Sequence, residues 1–439
     1  MNANVLILLI GSNPLPNYVT ARYLLDGSRE DTGIAPVPDV ILLLSSKGTS
    51  PIAETIIRKL GLTAGQFVHR TLMEGQRDPY TIADSLRKAI DSISAKTPIA
   101  SLHLNITGGT KPMAVFATLS GISLQKDCPF MVSDLDPDRH VLRVTTWCQE
   151  EVRESYVPAR GTLLSMPTLG MQVNDILQLH ESRFKIVDSG SRKFIKFHAR
   201  PYSEQFYAES LGNDARYWFD KINGIRAASS SNSEKLLKKF EEILESTGGG
   251  KSLTAVFPSM APYFTDEKHL SPDVNITWLL RLFQGGWLED MLLRTIENLA
   301  QTGQVVLSDY RKNVEVEYER RPAEIDLIAM KGYQMYLVSC TSSAQIKTVK
   351  QKTFEALYRA EQLGGEHAQV VMVSCMSNEP HRADHFSKEN NLSELRKDLA
   401  QYDARRKCHL MGRDELKGEV EGGGTLGRRL TEIIGGAAA

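Results

Sequence analysis

The chain has 439 residues, 41% of them hydrophobic and 24% charged, and a formal net charge of −1. That length suggests two or three domains, and the composition fits a globular protein and excludes a collagen, a low-complexity tract or a small disulfide scaffold. A net charge so near zero excludes a generally basic nucleic-acid binder but leaves room for a local basic groove.

The longest apolar runs, Val5–Ile10 and Val40–Leu44, are too short to cross a bilayer. The N-terminus carries neither a basic region nor a cleavage pattern, so no signal peptide is expected. Five cysteines (Cys128, Cys148, Cys340, Cys375, Cys408) are widely spaced and form no CxxC pair. They argue for a reducing compartment, hence a cytoplasmic protein, and against a zinc knuckle.

The first 150 residues read as alternating strands and helices. Val5–Ile10 is a strand broken by the stretch 11–16. Val40–Leu44 is a second strand, followed by 45–50, with Ser50 as N-cap and Pro51 at the first helical position. Leu102–Ile106 is a third strand, followed by 107–111, and a helix runs from Pro112 to about Leu124. Phe130–Ser133 and Val141–Thr146 are further strands. Short apolar strands between helices imply a parallel, doubly wound sheet. Residues 151–270 read as a linker with accessory elements, including a helix near 233–245 capped by Ser231 and Glu234.

The last third, 271–430, changes character. A helix from Trp278 to about Ala300 is interrupted at Gly285-Gly286. Strands follow at Val305–Leu307, Val314–Tyr318, Glu324–Ile328 and Gln334–Thr341, with Lys331-Gly332 as a hairpin turn. A helix over Gln345–Leu363 and a strand over Gln369–Ser374 complete an α+β unit. The terminal glycine and alanine run from Gly435 reads as disordered.

Three loops of the first part follow buried strands, where open α/β sheets bind ligands. They hold Gly11, Ser12, Asn13 and Pro14; Ser45, Ser46, Lys47 and Thr49; and Asn105, Thr107, Gly108, Gly109, Thr110 and Lys111, with Met113 just beyond. Two of them enter helix N-termini, which favour anions. Residues 1–150 hold 14 basic and 14 acidic side chains, so an anion site here rests on local geometry. GxGxxG is absent. Gly248-Gly249-Gly250-Lys251-Ser252 fails as a P-loop, because Glu245 stands where a glycine is required.

Asn105-Ile-Thr-Gly-Gly-Thr-Lys-Pro-Met113 resembles the signature of CARF domains, the Rossmann-like sensors of cyclic oligoadenylates in type III CRISPR immunity. The loops at Ser12–Pro14 and Ser45–Lys47 sit where that family also contacts its ligand. The resemblance covers residues 1–150. It implies a homodimer with one cyclic tetra-adenylate across the two-fold axis, where two copies of one loop set meet a symmetric ring of four phosphates.

In the C-terminal part Gly285-Gly-Trp-Leu-Glu289 opens a helix, and Asp326 lies on a strand. A helix Glu and a strand Asp, followed by a strand with two inward positions, resemble the PD-(D/E)xK nucleases, most closely their CARF-fused branch. The fold class expected is therefore α/β: an N-terminal Rossmann-like CARF domain plus a C-terminal α+β restriction-endonuclease-like domain. The resemblance implies a metal-dependent endonuclease of antiviral defence that cuts DNA, RNA or both. Its Mn²⁺ or Mg²⁺ would be held by Glu289, Asp326 and the carbonyl of Cys340, since hard cations take oxygen ligands.

The chain departs from that pattern at Ser339-Cys340-Thr341, where Glu-x-Lys is expected. Ser339 offers a hydroxyl to the metal, but Thr341 brings no positive charge. Lys347 and Lys350 on the next helix are candidate substitutes. Lys352 and Arg359 extend a basic helix face, read equally as a solvated surface or a phosphate flank. Glu315, Glu317 and Glu319 read as a solvated strand face, and His381 with His385 lacks the Glu of a zinc-protease motif. Two rival readings stand beside the ligand-activated nuclease. One is a sensor whose degenerate nuclease half binds nucleic acid or protein without cutting. The other is a ring nuclease that degrades its own ligand through Ser12 and Lys111.

Overall fold

The computed structural model describes residues 2–26, 34–72, 78–124, 128–136, 141–148, 151–158, 171–180, 185–187, 204–212, 214–223, 225, 233–246, 251–318, 321–378, 391–401 and 407–435. Glu319, Ser231, the glycines 248–250, the His381–His385 pair and residues 436–439 lie outside them.

The N-terminal sheet contains β1 (Ala3–Ile10), β2 (Val40–Ser46), β3 (Phe67–Leu72), β4 (Ile99–Asn105), β5 (Phe130–Asp136), β6 (Val141–Cys148) and β7 (Glu151–Pro158). Their spatial order is β3-β2-β1-β4-β5-β6-β7. β1 to β5 run parallel, and β6 and β7 add as antiparallel strands. Helices α1 (Leu15–Leu25), α2 (Ser50–Lys59), α3 (Pro79–Ser94) and α4 (Lys111–Leu124) cover both faces. Leu6, Leu8, Ile10, Ile41 and Leu43 share one core with α1 and α2, while Val5, Ile7, Leu9, Leu42 and Leu44 share the other with α3 and α4. Burial on both faces is why these strands read as continuous apolar runs.

Local details differ from the sequence expectation. The N-cap of α2 is Thr49, one residue before the expected Ser50. The Thr49 hydroxyl bonds across to the Ile10 carbonyl at 2.9 Å, which ties the β2 loop to the end of β1. The break after β1 is itself the entry to α1, with Pro16 in the first turn where a missing N–H costs nothing. β3 escaped detection because its residues, Phe-Val-His-Arg-Thr-Leu, are mostly half-buried and partly polar on a sheet edge.

The second sheet contains β8 (Lys185–Val187), β9 (Asp309–Tyr318), β10 (Arg321–Lys331), β11 (Gln334–Thr341), β12 (Gln369–Ser374) and β13 (Cys408–Met411). Its order is β13-β12-β11-β10-β9-β8, with β8 to β11 antiparallel to their neighbours and β11 to β13 parallel. The expected strand at Val305–Leu307 is not one. Val305 instead sends its N–H back to the Leu299 carbonyl and closes the end of the preceding helix. The β10–β11 turn is Gly332-Tyr333, one residue later than expected, with Gly332 at φ 59°.

Helices 204–210, 215–223, 233–245 and 276–281 pack on one face of this sheet around Phe206, Trp218, Phe219, Phe240 and Phe257. Helix Ile346–Gly364 covers the other face, where Val349, Ala356, Ala360 and Leu363 join a core that continues through helix Val173–Leu179 to α1 and α2. The two halves therefore share one apolar core. No helix among the described residues is long and apolar enough to cross a membrane.

Candidate functional site

The order in which strands are added to the sheet reverses between the parallel neighbours β1 and β4, with β2 on the other side of β1. The loops after these three strands consequently open on one crevice, where ligands of doubly wound sheets bind. Their glycines have a steric reason. A Cβ on Gly11 would land on the Gly108 carbonyl oxygen, and one on Gly108 would land on the amide of Asn17. A Cβ on Gly109 would come within 2.6 Å of the Leu9 side chain. The β1 and β4 loops therefore interlock through backbone.

Asn17 carried no sequence signal. It lies fully buried on α1, and its Nδ2 donates to the Leu9 carbonyl at 2.9 Å. It fills the space under the Gly108 turn. Gly108→Ala is expected to destabilise the protein by about 1–3 kcal/mol. A variant that keeps its Tm would show that the interlock is dispensable.

The remaining loop residues divide by exposure. Ser12, Lys47 and Lys111 are exposed, and Asn13 and the stretch Thr107–Thr110 are half-buried. Ser45, Ser46, Thr49, Asn105, Gly11, Pro14 and Met113 are buried. The Asn105 amide donates to the Ser133 carbonyl at 3.3 Å, and its Oδ1 receives the Thr107 N–H at 3.3 Å. The Thr107 hydroxyl receives the Leu135 N–H at 2.8 Å. Ser45 Oγ lies 2.8 Å from His69 Nε2 on β3.

The second constellation lies in the other half, around the central strands β10 and β11. After helix Ile276–Arg281 a single π-turn, 282–286, resets the chain, with Gly285 at φ 121°. Helix Trp287–Gln301 then starts on a fully buried Trp287 stacked on Phe219. That anchor fixes Glu289 in the first turn. Asp326 sits on β10 where the pleat slips. Ile325 packs into one core and Leu327 into the other, although two residues apart they should share a face. Opposite them on β9, Asn313 has φ 52°, the single positive value outside glycine among the described residues. This kink turns Asp326 out of the regular alternation.

Asp326 Oδ2 receives the Cys340 N–H at 2.7 Å and the Ser339 hydroxyl at 3.1 Å. Burial, then the charges of Asp326 and Glu324, push the Glu289 carboxyl up to about 7. Lys352 and Arg281 oppose that rise. The Lys352 ammonium donates to the Cys340 carbonyl at 3.1 Å. Burial raises the Cys340 thiol well above its usual range, which disfavours the thiolate.

The other basic side chains of this helix are placed differently. Lys347 is exposed in the first turn. Lys350 pairs with Asp398 at 2.8 Å. Arg359 donates to the Glu324 carbonyl at 2.6 Å and pairs with Glu355. The Thr341 side chain is buried, and its hydroxyl receives the Ser343 N–H at 3.2 Å.

Among the described residues no group of three or more His, Cys, Asp or Glu converges as metal ligands. The Glu289–Asp326 pair still suits a hard divalent cation. Its donors are all oxygens, and the Asp326 charge raises the cost of ionising Glu289, a cost that a divalent cation would offset. Glu289, Asp326 and the Cys340 carbonyl are the groups that would hold it.

No protein-family model and no curated relative matches the chain. Solved structures do. Can2 from Sulfobacillus thermosulfidooxidans, in complex with cyclic tetra-adenylate, aligns with TM-score 0.59 at 12% identity, covering 98% of this chain and 99% of that one. Protein VC1899 from Vibrio cholerae aligns with TM-score 0.58 at 14% identity, covering 98% of each chain. The chain has the fold of Can2. The likeness spans both halves, from the parallel Rossmann-like sheet to the mixed C-terminal sheet. At 12–14% identity the likeness is one of architecture.

Proposed function

We propose that this protein is a metal-dependent nuclease of type III CRISPR defence that cuts DNA or RNA when a cyclic oligoadenylate, cyclic tetra-adenylate in the first instance, occupies the crevice above β1, β2 and β4. The observation that carries the reading is the Glu289–Asp326 pair beside a cation in a chain that also holds the interlocked loops. The fold shared with Can2, whose structure contains cyclic tetra-adenylate, supports the choice of ligand.

The crevice supplies the means to hold phosphates. Lys47 and Lys111 stand exposed in its loops, and Gly108–Thr110 bring backbone N–H groups to the start of α4. Helix α4 also explains a homodimer. It is apolar around most of its circumference, yet Val115 and Leu119 are more than half exposed. A second copy seated there would cover this face and bring two loop sets together. Leu119→Arg is expected to give monomers in sedimentation and to lose most ligand affinity. A dimer of unchanged stability would exclude this face.

At the other site, a bound divalent ion would polarise the scissile phosphate and make a water nucleophilic. Asp326, fixed by Cys340 and Ser339, would hold the ion's position, and Glu289 would complete the charge once ionised. Activation has a physical route. Asn13, in the β1 loop, lays its side-chain amide on Gly365, which ends helix Ile346–Gly364, and that helix carries Lys352 to the nuclease site. A ligand that favours one placement of Asn13 thereby favours one placement of the helix.

A second reading, binding without cleavage, rests on Ser339 and Thr341. β11 carries no carboxylate that could join the pair, and Ser339 spends its hydroxyl on Asp326. The deciding experiment offers supercoiled plasmid and labelled single-stranded RNA to the protein in Mn²⁺, with and without cyclic tetra-adenylate. Ligand-dependent cutting is expected. Ligand binding and nucleic-acid binding without cutting would transfer the case to the second reading.

A further inference from the structure

We propose that Lys352 is the catalytic cation of the nuclease site, supplied by helix Ile346–Gly364 where Thr341 on β11 supplies none. The inference rests on the nuclease reading above and deepens it by giving the cation beside the Glu289–Asp326 pair a role in the chemistry.

Geometry singles out this lysine. Its Nζ lies 3.1 Å from the carbonyl of Cys340, the residue next to Thr341. It acts on the Glu289 carboxyl more strongly than Arg281 does. The neighbouring cations are engaged elsewhere: Lys350 with Asp398, and Arg359 with Glu355 and the Glu324 carbonyl. Lys352 and Arg359 stand seven residues apart, two turns along one helical stripe, and both reach backbone carbonyls of the β10–β11 pair. Arg359 pins that stripe to β10, and Lys352 is the part of it that reaches Cys340, the residue whose N–H Asp326 accepts.

The partner of the ammonium also matters. A neutral carbonyl holds an ammonium less strongly than a phosphate oxygen does, since hydrogen bonds between two charged groups are the stronger kind. Lysine is a compact charge with three rotatable donors on a flexible stem. Lys352 is thus parked on a carbonyl it can exchange for a non-bridging oxygen of the scissile phosphate. In the hydrolysis water adds across one P–O ester bond, leaving a phosphate monoester and a hydroxyl, and the water's proton ends on the leaving oxygen. Lys352 keeps its own proton throughout. It donates a hydrogen bond to the charge that grows on the phosphate, and such donors contribute about 10²–10³ in rate.

The test compares wild type, Lys352→Met, Lys352→Arg and the double variant Lys352→Met/Thr341→Lys. Cleavage is measured with Mn²⁺ and cyclic tetra-adenylate, and Mn²⁺ affinity is measured by calorimetry without nucleic acid. Lys352→Met is expected to cut on the order of a hundredfold more slowly and to bind Mn²⁺ as tightly as wild type or several-fold tighter, because a positive charge has left the site. Lost folding would weaken Mn²⁺ binding instead. Lys352→Arg should retain part of the rate, and Thr341→Lys should restore cutting at least tenfold over Lys352→Met by returning an ammonium from the strand. Neither rescue follows from a merely structural role. If wild type cuts and Lys352→Met cuts within threefold of it, this inference falls and the nuclease reading stands. If wild type does not cut, both fall.

Discussion

Asp326→Asn is expected to lower ligand-stimulated cleavage on the order of a hundred- to a thousandfold while leaving the protein folded. The asparagine keeps an oxygen that can accept the Cys340 N–H and the Ser339 hydroxyl, and it loses the charge. Asp326→Ala removes the acceptor as well. A Cys340 N–H left unpaired at this depth costs about 1–3 kcal/mol, so the alanine variant should lose stability in addition to activity. The two variants separate the structural duty of the carboxylate from its chemical one. Mn²⁺ affinity should fall in both, and Tm chiefly in the alanine. An Asp326→Asn protein that cuts at the wild-type rate would place the scissile chemistry elsewhere.

The same site prescribes a pH dependence. Glu289 is raised to about 7 by burial first, then by Asp326 and Glu324. A carboxyl with a raised folded-state pKa favours the folded protein while protonated, and that contribution fades as pH climbs from the usual carboxylate range through about 7. A divalent cation reverses the preference, because it needs the ionised form and expels the proton on binding. Its affinity should therefore strengthen as pH rises toward about 7 and level off above it. Glu289→Gln should flatten the profile. An unchanged slope in that variant would assign the titration to another group.

Sequence pattern reveals what depends on local rules. Continuous apolar runs announced the buried strands, because parallel strands must be apolar on both faces. The Gly285-Gly-Trp-Leu-Glu289 stretch was legible for a similar reason. A glycine at φ 121° and a buried tryptophan leave little choice about where the helix starts. Other features depend on distant partners. Asn17 looks like an ordinary helix residue until Gly108 folds over it. Lys347, Lys350 and Lys352 are equivalent in the sequence. Only the packing of Val349 and Ala356 decides which of them faces Cys340, and only Asp398 takes Lys350 out of play. The pleat slip at Asp326 was equally hidden, since Asn313 on another strand takes part in it.

Gly365→Ala is expected to separate sensing from cutting. Gly365 has φ 76° and ψ −163°, a region that costs a non-glycine residue about 1–3 kcal/mol. A Cβ there would also land on the amide of Asn13, whose Oδ1 is held by the Leu15 N–H at 3.1 Å and cannot swing away freely. The strain must move either the β1 loop or the end of helix Ile346–Gly364. From Gly364 that helix runs about 18 Å to Lys352, a rigid span that changes placement as a unit. The variant should therefore retain a ligand-induced thermal shift while its cleavage no longer rises with ligand as in wild type. Asn13→Ala removes the same contact without backbone strain, and it should blunt the stimulation in the same direction even where its ligand affinity is near normal. If both variants respond to cyclic tetra-adenylate with the full wild-type increase in rate, the two sites communicate by another path, and the contact of Asn13 with Gly365 serves only to pack the halves together.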